Sequence, residues 1–132
     1  MAEKTILEKL TVKPGRSFNL VNPPPGYTQR IGNLPEGARW VTAPDETVDV
    51  IQVFVETRAA LESQLARLKT QLKPGGALWV TYYKGTARVK TDINRDSINA
   101  YGKTLGLIGV AMISIDDDWS ALRFKAVEGT DE

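Results

Sequence analysis

The 132-residue chain has no cysteine and no histidine. The first absence excludes disulfides, a catalytic thiol and any cysteine-based zinc site. The second removes the side chain that titrates nearest neutral pH, and with it Ser-His-Asp and Cys-His nucleophile systems. Acid–base chemistry would fall to Asp, Glu, Lys or Tyr. No apolar run approaches the roughly 18 residues of a membrane span, and Met1–Leu7 carries no long apolar segment of a leader type. Charge of one sign is also missing: 17 Lys and Arg face 16 Asp and Glu, a net charge of +1. That balance gives no clustered basic face for nucleic acid or an anionic membrane. A soluble cytoplasmic protein is expected, with no nucleic-acid or membrane partner.

What is present reads as a single α/β domain over residues 1–132, large enough for one core. Ile6, Leu7 and Leu10 share one face of a short helix that Lys13-Pro14-Gly15 stops. Ser17–Asn22 is a short strand, ended by Pro23-Pro24-Pro25-Gly26, a stiff loop without amide donors over three residues. Tyr27–Ile31 forms a helical turn, and Ala38–Ala43 a second strand near an edge. Val48–Val55 is β-branched and apolar at nearly every position, which marks a strand buried on both faces. Thr57 caps a helix whose Leu61, Leu65, Leu68 and Leu72 make one stripe.

Leu72-Lys73-Pro74-Gly75-Gly76 then ends that helix and feeds a fourth strand, Ala77–Tyr83. Thr91 or Asp92 is placed to cap a further helix carrying Ile93, Ile98, Tyr101 and Leu105 inward, with Gly102 implying a close neighbour. Leu107–Ile115 and Ser120–Val127 are strands joined by so short a link that they must be antiparallel. The sheet order expected is two, one, three, four, six, five, with the sixth antiparallel. Residues 129–132 form a polar tail expected to fray.

The Leu72–Val80 segment and the terminal antiparallel pair resemble a class I S-adenosylmethionine-dependent methyltransferase fold trimmed to a minimum, Rossmann-like and mostly parallel with six strands. More narrowly, Lys84, Val89-Lys90-Thr91-Asp92, Gly106-Leu107 and Asp118–Leu122 are similar to a family of small bacterial proteins of unknown function with that sheet. The resemblance implies a fold and carries no settled activity.

Methyltransferases of this class hold their cofactor at a glycine-rich turn after the first strand. Here that turn is Asn22-Pro23-Pro24-Pro25-Gly26-Tyr27, and the ribose-binding acid has only Asp45 and Glu46 as candidates. Asn22-Pro23-Pro24 with Tyr27 is similar to the Asn-Pro-Pro-Tyr signature of amino-group methyltransferases, yet it follows the wrong strand and is interrupted. No cofactor is therefore expected, with S-adenosylmethionine disfavoured. Asp116-Asp117-Asp118 lacks calcium-loop spacing and reads as a turn, so no metal is expected. Trp40, Trp79 and Trp119 are assigned to the core.

Ligands in open α/β sheets collect beyond the carboxyl ends of the strands. The best site there is the basic loop after the fourth strand: Lys84, Thr86, Arg88 and Lys90, with Thr91 at a helix start and Asn22 nearby. It suits a small anion. The leading expectation is a non-catalytic Rossmann-like module for a small anion or protein partner. The alternatives are a divergent S-adenosylmethionine-dependent methyltransferase and a homo-oligomer whose contact is Trp40, Val41 and the exposed side of Ala121–Ala126.

Overall fold

A computed structural model describes residues 5–43, 45–87 and 91–126. The elements are α1 (Ile6–Lys9), β1 (Ser17–Val21), α2 (Tyr27–Ile31), β2 (Arg39–Trp40), β3 (Val48–Phe54), α3 (Arg58–Gln71), β4 (Leu72–Tyr83), α4 (Arg95–Thr104), β5 (Leu107–Ser114) and β6 (Trp119–Ala126). They build one six-stranded sheet in the order β2-β1-β3-β4-β6-β5. β1 to β4 are mutually parallel, and β6 lies antiparallel between β4 and β5. The expected order and the reversed sixth strand are both found.

Strand alternation splits the core in two. Ile51, Val53 and Val55 of the β3 segment, with Leu78 and Val80 of β4, meet Leu61, Leu65 and Leu68 of α3 and Ile98 of α4. Val50, Phe54 and Trp79 point the other way, onto Leu7 and Leu10 beside α1 and onto Tyr27 and Ile31 of α2. The sheet is therefore the middle of three layers. Gly102 is needed where α4 crosses β6, because an added Cβ would come within 2.5 Å of the Phe124 ring.

Several boundaries differ from the sequence reading. β4 begins at Leu72, because Leu72 pairs with Val48 and a register shift between Val48 and Val50 absorbs the glycines. The Pro74–Gly76 segment is thus an irregular start to the strand. α4 is capped by Asn94, whose side chain accepts from the Ser97 amide at 2.9 Å; Thr91 and Asp92 stand before it. Asp92 instead accepts from the Arg58 amide at the start of α3. β2 has only two residues. Trp40 is 42 % exposed, which corrects its assignment to the core, while Val41 is buried. β6 is an interior strand, so the expected oligomer surface of Trp40, Val41 and Ala121–Ala126 does not exist as one exposed face. Trp79 and Trp119 are buried as expected. No described helix is long and apolar enough to cross a membrane.

One polar chain runs through the apolar layer under α2. Tyr27 Oη donates to Gln52 Oε1 at 2.9 Å, and Gln52 Nε2 donates to Thr81 Oγ1 at 3.0 Å, all three residues being buried. Burial pushes the Tyr27 phenol up to about 12, against the lowering effect of the Gln52 hydrogen bond and Arg30. Tyr27→Phe strands the Gln52 oxygen in the core, and an unpaired buried acceptor costs about 1–3 kcal/mol. Urea denaturation is expected to show that loss as a lower midpoint at unchanged slope.

Candidate functional site

The carboxyl ends of the parallel strands present Asn22 after β1, Val41 and Thr42 after β2, Glu56 and Thr57 after β3, and Lys84 after β4. Asn22 is exposed and turns the chain with a left-handed φ of +57°. The prolines that follow offer no amide, and the Tyr27 amide is already given to the Pro24 carbonyl at 3.1 Å. Gly26 has φ +81°, and an added Cβ there would meet nothing within 4 Å. This turn is thus open and short of backbone donors.

Next to it stands an aromatic and acidic group. Tyr83, last of β4, is the register partner of Trp119, first of β6. Their rings stack at 3.9 Å, and Trp119 meets Phe54 edge-on at 4.9 Å, which in turn meets Tyr27 at 4.7 Å. Burial raises the Tyr83 phenol, and the nearby Glu56 and Asp118 carboxylates raise it further. Those two acids and an aromatic face favour a cation. Neither Glu56 nor this pairing was anticipated from sequence, since Asp118 lies 62 positions beyond Glu56 and both come near Tyr83 only through strand register.

A cleft of about 550 Å³ opens on the α4 side of the same edge. Tyr82, Tyr83, Met112 and Ile93 supply apolar lining, and Lys84, Thr91, Arg95 and Asp96 are among its polar lining, Arg95 pairing with Asp96 at 3.5 Å. Tyr82 Oη reaches Met112 Sδ at 3.3 Å. Lys84 Nζ donates to Ser114 Oγ at 2.7 Å, and its amide donates to the Asp118 carbonyl. Of the residues assigned to an anion site, the structure brings together Lys84 and Thr91. Thr86 is exposed and does not line the cleft, and Asn22 sits two strands away at the end of β1. Arg88 and Lys90 lie outside the described residues.

The aspartate run makes a turn, as expected. Asp116 Oδ1 accepts from the amides of Asp118 and Trp119 at 2.8 and 2.9 Å, and Oδ2 pairs with Arg30 at 2.9 Å. Burial works to raise this carboxyl, but those hydrogen bonds and the Arg30 charge outweigh it and lower its pKa. Among the described residues no group of three acids could hold a metal ion.

The chain matches no family model and no curated protein. Solved structures do resemble it. DhpI in complex with SAH shares 12 % identity at a TM-score of 0.62, over 94 % of this chain and 83 % of that one. A TehB-like SAM-dependent methyltransferase from Corynebacterium glutamicum shares 12 % identity at 0.57, over 91 % and 85 %. The N-methyltransferase NodS from Bradyrhizobium japonicum shares 16 % identity at 0.54, over 93 % of each chain. At these identities the likeness establishes the methyltransferase-like Rossmann fold. It also corrects the expectation of no cofactor: DhpI is solved on this fold with SAH and with SAM. Few amide donors at one turn and an ill-placed ribose acid do not exclude the cofactor on this fold, where side chains at the neighbouring strand ends also face the edge.

Asp116 links the turn to pH. Its folded pKa lies below the unfolded value, so its stabilisation is complete above the unfolded pKa and is lost as pH falls through the folded one. Asp116→Asn is expected to cost about 1–3 kcal/mol at neutral pH and to flatten the acid side of the stability profile. Denaturant midpoints measured from about pH 6 down to about pH 2 check both.

Proposed function

We propose that this chain is a divergent S-adenosylmethionine-dependent methyltransferase, with its cofactor held at the carboxyl ends of β1, β3 and β4. The observation that carries the reading is the sheet itself. Its parallel strands and the antiparallel β6 inserted between β4 and β5 match the solved methyltransferases over nearly the whole chain. This favours the enzyme over the non-catalytic anion module first expected.

The residues fit the cofactor by side chains rather than by a glycine-rich cradle. When bound, S-adenosylmethionine supplies an electrophilic methyl group on a positively charged sulfur. Glu56 and Asp118 set negative charge beside the Tyr83 ring, which suits that positive group. Asn22 offers an exposed side-chain amide at the end of β1. The aromatic stack of Tyr83 on Trp119 holds this edge rigid. The cleft beyond Tyr83 takes the methyl acceptor, and Lys84 with the Arg95–Asp96 pair gives its wall both charges, which suits a polar acceptor. With no histidine in the chain, a proton released by the acceptor passes to a carboxylate at this edge.

Thermal unfolding and calorimetry with S-adenosylmethionine and its demethylated product check the assignment. Either ligand at about a hundred times its dissociation constant is expected to stabilise the fold by about 2.7 kcal/mol, a shift of several degrees. Glu56→Gln is expected to weaken binding about tenfold, about 1.4 kcal/mol, with the unliganded melting temperature unchanged because Glu56 is exposed. A shift with inorganic phosphate and none with either sulfur ligand would overturn the reading and restore the anion module.

A further inference from the structure

The two edges of the sheet are built differently. β2 has two residues, and its Arg39 is held to Glu46 at 2.8 Å. β5 runs for eight, Leu107–Ser114, without a proline or a charged side chain. Of the large apolar side chains exposed among the described residues, Ile108, Val110 and Met112 all lie on it, at 42 %, 48 % and 46 % exposure. Edge strands are ordinarily guarded by shortness, charge or proline, since their outward amides and carbonyls invite another strand. Along Leu107–Ile113 the guard is the register shift between Gly109 and Ala111, and at the strand's end Lys9 Nζ donates to the Ser114 carbonyl at 3.2 Å.

We propose that β5 pairs antiparallel with the β5 of a second copy about a two-fold axis, joining two six-stranded sheets into one. Charge favours a second copy as the occupant. Two-fold antiparallel pairing sets the strand against its own sequence reversed, so charges of one sign along it would be brought together across the axis. β5 carries none, and Lys9 and Lys84 reach only Ser114 at its end. The basic side chains of the adjoining strand, Arg123 and Lys125, would stand three strand spacings from their counterparts. That is about 14 Å at about 4.8 Å per spacing, beyond the Debye length of about 8 Å at physiological salt. The opposite edge, at two residues, is too short to receive β5, so the assembly closes at two copies and does not propagate. Met112 also lines the cleft, so this pairing brings the second copy to the rim of the proposed acceptor site.

Sedimentation velocity of the full chain from about 1 to about 100 μM spans the affinities expected of such an edge. A species of twice the monomer mass is expected. Val110→Lys and Ile108→Lys are each expected to return it to monomer with native circular dichroism, and Trp40→Lys at the other edge to leave the dimer intact. Hydrogen exchange provides a second readout without substitution: β5 amides are expected to gain protection as concentration rises. A monomer at every concentration would overturn the proposal and leave the edge to a different protein. So would a dimer that survives both β5 substitutions or is lost with Trp40→Lys.

Discussion

The buried chain from Tyr27 through Gln52 to Thr81 is the constraint on which the carboxyl edge of this sheet depends. Gln52 sits in the central strand with no access to water, and its amide must find both a donor and an acceptor inside the core. Thr81 supplies one from the next strand and Tyr27 the other from a helix of only five residues. So short a helix has little stability of its own. Its position comes from the phenol it contributes, from the Phe54 ring beneath it and from the Arg30–Asp116 pair. The proline turn before it fixes the approach of the chain and dispenses with amides.

This arrangement explains how a fold shared with methyltransferases can open its first turn without losing the edge. Backbone donors are reduced there, and the aromatic ladder from Tyr27 through Phe54 and Trp119 to Tyr83 stiffens the adjoining strand ends. In the proposed reading, ligand recognition moves to Asn22, Glu56, Asp118 and Tyr83. Electrostatics differ across the edge: carboxylates lie near Tyr83, while Lys84, Arg95 and Asp96 stand on the cleft side. One edge thus offers a cation-favouring wall beside a cleft of mixed charge.

Much of the fold was legible in the sequence because its signals are local. The β-branched run of Val48–Val55 and the leucine stripe of Leu61, Leu65 and Leu68 need no distant partner to be read. The short Asp116–Asp118 link dictated an antiparallel pair, and the strand order expected beside the methyltransferase-like resemblance is the one found. Features set by register or by competition between neighbours were not legible. Asn94 outcompetes Thr91 and Asp92 as a cap because Ser97 completes a reciprocal box with it. Trp40 looks like core by composition, yet its two-residue strand lies at the sheet's margin with nothing on its outer side. The Tyr83–Trp119 stack joins residues 36 positions apart, and the proximity of Glu56 to Tyr83 arises only once β3 and β4 are in register. The basic loop drew attention by sequence density, whereas the side chains that meet at the edge are scattered along the chain.

The central claim is that the ends of β1, β3 and β4 form one binding edge. Amide chemical-shift mapping of the labelled protein during titration with S-adenosylhomocysteine tests it most directly. The expected result is a saturable set of shifts centred on Asn22, Glu56, Tyr83 and Asp118. Saturable shifts confined to other surfaces, or none at millimolar ligand, would contradict it.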